Sequence, residues 1–337
     1  MNTDNIVLDV AYQPQVKTDM DTRRIMLNVI LALVPAVIFA IWQFGWNSLI
    51  LISVSMASAV FFEWAYRKLL KKSNTIGDCS AALTGLLLAL TLPTCAPWWL
   101  PIVGNFFGIV VVKQLYGGLG KNFLNPALAA RAFLIASYAG LMTTWQAPNA
   151  LVQVISESSS MNPTLDAITM ATPMSYLYSG EHMPSYFTLS NLFLGIKPGC
   201  IGEVCSLALL AGSAYLMIRD IIDWRIPCSF IGTVCVLCLI IGHEGYSNFE
   251  WMMYNLFSGS LFLGAFFMAN DYATSPCTHG GHLLYGFGCG VITVLIRYIG
   301  SYPEGVSYGI LIMNLCAWPI DKLFIRKPFG AEKEAAK

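Results

Sequence analysis

The stretch IMLNVILALVPAVIFAIWQ, residues 25–43, holds no charged side chain in nineteen positions. A run of that length and polarity matches the ~20 residues needed to cross the hydrocarbon core of a bilayer. In lipid it satisfies its backbone polar groups internally by forming a helix. The chain repeats the pattern. Apolar segments fall at roughly 25–43, 47–66, 80–93, 98–116, 125–142, 202–219, 227–243, 252–269, 282–299 and 305–320. Of the 337 residues, 56% are hydrophobic and 11% charged, against about 25% charged in a soluble domain. The sequence therefore reads as an all-α polytopic membrane protein with about ten transmembrane helices, seated in the inner or plasma membrane. Nineteen Lys and Arg balance nineteen Asp and Glu, so nothing in the charge points to nucleic acid. The polar opening segment has no apolar stretch followed by a cleavage site, which leaves insertion to the internal segments.

Basic residues set the orientation. Arg23 and Arg24 precede the first segment, and Arg67, Lys68, Lys71 and Lys72 follow the second. Lys113 and Lys121 separate the fourth from the fifth, Arg219 and Arg225 the sixth from the seventh, and Lys322, Arg326 and Lys327 follow the tenth. The alternate loops QFGWN and HEGYSNFE contain neither Lys nor Arg. Both termini are then cytoplasmic. The chain divides into a cytoplasmic segment 1–22, helices one to five over 23–142, an extracytoplasmic loop 143–201, helices six to ten over 202–320, and a cytoplasmic tail 321–337.

Two blocks, 84–128 and 258–311, share an order of features. Each opens on small residues and Gly, runs through an apolar half-span, and breaks at a Pro-containing stretch, TLPTCAP or ANDYATSP. Each then continues as a Gly-rich span that ends near one basic residue, Lys113 or Arg297, before a Gly/Pro turn. The first block begins inside and the second outside, which is the signature of an inverted repeat with broken helices near the midplane.

Ionisable groups in such segments are costly and usually functional. Glu63, Lys113 and Arg297 lie near segment ends, where snorkelling to the interface accounts for them. Arg131 is placed to be internal, with a carboxylate, a carbonyl or a bound polar ligand as its partner, and Asp271 sits in a break that suits a cation. The ten cysteines form no paired C-x-x-C array and no iron–sulfur pattern. Cys235 and Cys238 read as packing in an apolar helix, and a Cys200–Cys205 disulfide is allowed but not required. No G-x-G-x-x-G follows a strand, so NAD chemistry is not carried by this chain.

The loop stretch NPTLDAITMATPMS, 162–175, is polar by contrast. It sets Thr169 and Thr172 behind Asp166. Pro173 fixes its own φ and pushes Thr172 toward an extended conformation, holding its hydroxyl outward beside the small Ala171. Spacing alone also suits an ordinary capping or turn cluster.

DAITMAT is similar to the flavinylation motif D-x-x-(S/T)-x-A-T of membrane flavoproteins. TGLLLALTLP, KQLYGGLGKNFLNPAL, GAFFMANDYATSP and YPEGVSYGILIMN extend the likeness from about residue 20 to 325. Together they resemble the D-subunit family of the Rnf complex, the ion-translocating ferredoxin:NAD⁺ oxidoreductase, and more distantly the B subunit of the sodium-translocating NADH:quinone oxidoreductase. The resemblance implies an FMN joined by a phosphodiester bond to Thr172, with Asp166 and Thr169 as the earlier motif positions and a separate flavin transferase making the bond. Met170 departs from the small residue usual at its variable position. A second, non-covalent flavin, riboflavin, is implied in the membrane part, with Asn122 and Asn125 of GKNFLNPA as candidates beside Arg131. Amides both donate and accept at a flavin's pyrimidine edge. Asn125 followed by Pro126 also suits a helix cap. In MANDYAT, Asn270 and Tyr272 depart from the family pattern. The implied fold is urea-transporter-like. The implied role is a redox relay inside a translocase, not catalytic alone. Its partners would be the other membrane subunits, an FMN-bearing G-type subunit, soluble NADH- and ferredoxin-reactive subunits, and the lipid bilayer. A channel or transporter of the same fold without redox chemistry is the alternative, because fold does not fix function.

Overall fold

The computed structural model describes residues 21–152, 169–179, 183–184, 186–203, 205–243, 245–300 and 305–324. Among the described residues the regular structure is helical, apart from two isolated bridges, Pro93–Cys200 and Gln146–Thr169. The helices are α1 (Thr22–Phe44), α2 (Trp46–Leu69), α3 (Ser80–Leu90), α4 (Leu100–Gln114), α5 (Pro126–Ser137), α6 (Ala139–Met142), α7 (Pro173–Ser179), α8 (Leu189–Leu194), α9 (Ser206–Ile218), α10 (Arg225–Ile241), α11 (Asn248–Phe257), α12 (Leu261–Met268), α13 (His279–Ile299) and α14 (Val306–Leu323).

Every apolar segment expected from the sequence falls on helix, but 125–142 divides into α5 and α6 and 252–269 into α11 and α12. Length separates them into two groups. α1, α2 and α13, at 23, 24 and 21 residues, are long and apolar enough to cross a bilayer. α11 and α12 make a fourth crossing if counted as one span bent by 64°. The other apolar helices are shorter; α3, with 11 residues, rises about 16 Å, half a hydrocarbon core. Its end is the TLPTCAP break, as the prolines require. Two segments, Phe106–Gln114 in α4 and Gly264–Met268 in α12, wind as π-helix, a geometry often found at functional sites.

The two halves repeat their neighbour relations. α2 packs on α3 and α4, as α10 packs on α11, α12 and α13. α4 packs on α5 as α13 packs on α14, and across the halves α1 meets α9 and α5 meets α14. Glycines allow the close approach. A β-carbon on Gly212 of α9 would sit 2.1 Å from the Ala32 carbonyl oxygen of α1, and one on Gly286 of α13 would sit 2.7 Å from the Ile226 carbonyl oxygen of α10. Small residues at crossings are how membrane helices bring their backbones together.

Contacts between the connections fall into two groups. In one, Asp223, before α10, reaches His282 of α13 at 2.9 Å, and the end of α2 approaches the loop after α4 through Arg67 and Gly118. In the other, the Thr94 hydroxyl donates to Gln146 Oε1 at 3.3 Å, and the Met183 N–H donates to the Tyr246 hydroxyl at 3.3 Å.

Three charges depart from the sequence expectation. Glu63, Lys113 and Arg297 do not snorkel: they are 1%, 1% and 2% exposed. Lys113 Nζ donates to Glu63 Oε2 at 2.8 Å and to Ser80 Oγ at 2.7 Å, and the Thr75 hydroxyl donates to Glu63 Oε1 at 2.7 Å. Arg297 Nη1 donates to the Asn255 carbonyl at 2.9 Å. Position near a segment end does not decide their burial: α2, α3 and α4 pack together here, and Glu63 and Ser80 hold the Lys113 ammonium. Cys200 and Cys205 remain thiols, as do the other eight cysteines, and the allowed disulfide does not form.

Candidate functional site

Thr172 ends the polar loop immediately before α7, with Pro173 as the first helical residue, where a missing N–H costs nothing. Its carbonyl accepts from Ser175 N at 3.0 Å, and its hydroxyl oxygen accepts from the same N–H at 3.3 Å. The side chain is not held out into solvent as expected. It is 5% exposed and lines a cavity of about 570 Å³ with Arg131, Met142, Thr143, Thr144, Trp145, Ser175 and Tyr308. That volume lies within the ~300–1,000 Å³ of small-molecule sites. Thr169 is exposed on the rim and pairs with Gln146. Asp166 lies outside the described residues.

Arg131 enters this cavity from α5. It is 2% exposed; Nη1 donates to Ser307 Oγ of α14 at 3.1 Å and Nη2 lies 3.5 Å from Cys200 Sγ. Its internal placement agrees with the sequence reading. A buried guanidinium beside a hydroxyl is suited to a ligand carrying negative charge. Trp145 and Tyr308 were not singled out in the sequence, because neither sits in the threonine motif. They offer ring faces to a planar group.

Asn122 and Asn125 lie on a second, smaller cavity of about 80 Å³, shared with Ser80, Lys113, Asn270, Asp271 and Tyr272. Asn125 is the cap of α5: its Oδ1 accepts from Ala127 N at 3.0 Å and Leu128 N at 3.3 Å. Its Nδ2 donates to the Met268 carbonyl in the π-turn of α12 at 3.2 Å. Both ends of that amide are committed. Asn122 differs: Nδ2 donates to the Leu124 carbonyl at 3.0 Å, and Oδ1 is buried with no partner among the described residues. A buried acceptor left over in this way asks for a donor that the protein does not supply. The small cavity shares Ile25, Met26, Leu119, Asp271 and Tyr272 with an adjacent crevice of about 630 Å³. A planar ring fits there only by spanning both spaces.

Short and broken helices, π-turns beside cavities, and buried ionisable groups inside an apolar bundle define an all-α polytopic membrane protein with internal polar sites. Its sequence specifies which one. Residues 9–330 match the NQR2, RnfD, RnfE family, and the chain belongs to it. It is 44% identical, over 97% of its length and 96% of the relative's, to the D subunit of the Na(+)-translocating ferredoxin:NAD(+) oxidoreductase complex of Acetobacterium woodii. It is 36% identical, over 97% of each chain, to the D subunit of the proton-translocating ferredoxin:NAD(+) oxidoreductase complex of Clostridium ljungdahlii. It is 34% identical, over 97% of its length and all of the relative's, to the D subunit of the ion-translocating oxidoreductase complex of Escherichia coli K12. The first two names differ in the ion, so membership of the family leaves Na⁺ and H⁺ both open.

Proposed function

We propose that this chain is the membrane flavoprotein subunit of an ion-translocating ferredoxin:NAD⁺ oxidoreductase complex, with FMN carried on Thr172 through a phosphodiester bond. The observation that carries the reading is Thr172 itself, turned into a cavity of about 570 Å³ whose other polar residues include Arg131. The residues fit the group. A phosphodiester keeps one negative charge, and the Arg131 guanidinium faces the same space. Trp145 and Tyr308 flank room for a planar ring. The Ser175 N–H already directed at Thr172 Oγ1 fixes that oxygen. A bound flavin supplies electron transfer that no side chain here performs. The protein's part is to attach it, orient it and exclude water.

The second cavity together with the adjoining crevice is assigned to riboflavin, with Asn122 Oδ1 accepting from the ring's pyrimidine edge and Asn125 holding α5 in place. The flavin loop faces outside and the termini inside by the basic-residue pattern. Ferredoxin and NADH react on other subunits, since no iron–sulfur or dinucleotide pattern is present.

The test is flavin fluorescence on the denatured band after electrophoresis, from a host that contains the flavin transferase. Wild type and Thr169→Ala fluoresce, and Thr172→Ala does not. Fluorescence retained in Thr172→Ala refutes the attachment site. Its absence from wild type favours a channel or transporter without redox chemistry.

A further inference from the structure

Where the α9–α10 connection meets the start of α13, three side chains from distant parts of the chain converge. Asp223 precedes α10, and His279 and His282 occupy the first turn of α13, one helical turn apart. Asp223 Oδ2 lies 2.9 Å from His282 Nδ1 and 3.7 Å from His279 Nδ1. All three ligand atoms fall within 4.8 Å of one another. Ligands held at about 2.0–2.1 Å in tetrahedral geometry stand about 3.3 Å apart, and the two measured separations bracket that value.

The hydrogen bonds around His282 give a second, independent indication. Its Nε2 lies 2.8 Å from the Pro276 carbonyl oxygen. A carbonyl only accepts, so Nε2 carries its proton. The other nitrogen, Nδ1, faces the Asp223 carboxylate at 2.9 Å, which is also an acceptor. The imidazole Nδ1 and the carboxylate Oδ2 thus face the same space. An imidazole anchored through one N–H to a backbone carbonyl, with its other nitrogen directed at a carboxylate oxygen, is how metal-binding histidines are oriented.

Arg225 supplies a third indication. Its Nη1 lies 2.9 Å from Asp223 Oδ2 and 2.9 Å from His279 Nδ1. One cationic N–H thus sits where two of the ligands point and stands in for a cation. Asp223 is suited to the charge. Its Oδ2 already faces a cationic group, the Arg225 guanidinium, at 2.9 Å. Its anion also offsets the repulsion that a cation meets at a helix N-terminus.

We propose that Asp223, His279 and His282 bind one divalent transition-metal ion of zinc-like character, completed by water. The ion displaces the Arg225 guanidinium, whose side chain is 29% exposed and has room to swing into solvent. Mixed imidazole and carboxylate ligands suit Zn²⁺ over Mg²⁺ or Ca²⁺. The ion clamps the α9–α10 connection to the segment 271–282. That segment contributes Asp271, Ser275 and Cys277 to the crevice described above, so the clamp holds one wall of it.

Full-length protein with a non-histidine affinity tag is stripped with chelator in detergent and titrated with Zn²⁺ against a chromophoric competitor. Wild type takes up one Zn²⁺ per chain. His282→Gln and Asp223→Asn weaken uptake at least tenfold. Arg225→Gln, which keeps every ligand and removes the competing cation, tightens it severalfold. His279, at 63% exposure, gives a variant, His279→Gln, whose folding is not in question, and it too loses at least tenfold. Wild type without stoichiometric Zn²⁺, or uptake unchanged in His279→Gln and Asp223→Asn, overturns the proposal.

Discussion

Replacing Lys113 by Met separates a buried ion pair from a snorkelling one. Lys113 Nζ is 2.8 Å from Glu63 Oε2, and the two side chains are 2% and 1% exposed. At an effective dielectric constant of about 20, charges at that distance attract by about 6 kcal/mol. Desolvation returns part of this, and removing one partner of a buried pair costs about 3–5 kcal/mol because the other charge is stranded. The stranded group is Glu63, left with the Thr75 hydroxyl at 2.7 Å and Arg67 Nε at 4.0 Å. A large helical chain loses about 2 °C per kcal/mol, so the apparent Tm falls by about 6–10 °C. Fluorescence-detected size-exclusion chromatography after heating in detergent reads this directly. The double variant Lys113→Met/Glu63→Leu removes both charges and returns to within about 1–2 kcal/mol of wild type. A single variant within 2 °C of wild type, or a double variant as unstable as the sum of the singles, would refute the argument; ~2 °C is the smallest shift that 1 kcal/mol produces here.

Arg297 gives the contrasting case: its Nε and Nη2 have no partner among the described residues, so Arg297→Met strands no opposite charge and costs at least ~2 kcal/mol less than Lys113→Met in the same assay. Asn125→Ala loses both the acceptor that caps α5 and the donor to the Met268 carbonyl, and costs about 1–3 kcal/mol, read by thermal unfolding beside wild type. Gly212→Ala places a β-carbon 2.1 Å from the Ala32 carbonyl oxygen; α1 and α9 must separate, at a cost of about 1–3 kcal/mol, while Gly232→Ala, with open space around it, leaves the Tm unchanged.

Helix positions were legible because apolar runs and proline breaks are local properties of the sequence. Pro93 and Pro97 predict the end of α3 as surely as Asn125 and Pro126 predict the start of α5. Membrane depth was less legible. Lys113 lies one residue from the end of α4, and only the packing of α2 and α3 against α4 reveals that its ammonium is enclosed. The same limit applied to Thr172. Its motif was readable, but the wall it faces comes from α5 and from Trp145 and Tyr308, over a hundred positions apart in sequence. The Asp223, His279 and His282 cluster went unnoticed for a related reason. HGGH alone is a weak pattern, and its third member arrives from the far side of α10.

The two cavities are joined by one short element. α5 carries Asn125 at the small cavity and Arg131 at the large one. Six residues of helix rise about 9 Å, so groups held at the two ends of that interval lie within a few side-chain lengths of each other. α14 runs beside it and makes a matching pair of contacts. Ser307 accepts from Arg131 at 3.1 Å, and Asn314, its amide oriented to accept, takes the Asn125 N–H at 3.1 Å. Neither contact is local: both bind the fifth apolar segment to the tenth across the repeat. A shift of α14 against α5 therefore alters the surroundings of both cavities together. A part that contacts both sites can let the state of one bias the other. The Asn125 side chain extends the link to the Met268 carbonyl, in the π-turn of α12 that leads into the Asp271 break. Asn125 thus ties the amide cavity to the turn before that acidic break by a direct hydrogen bond, and α5 and α14 carry the packing on to the threonine cavity.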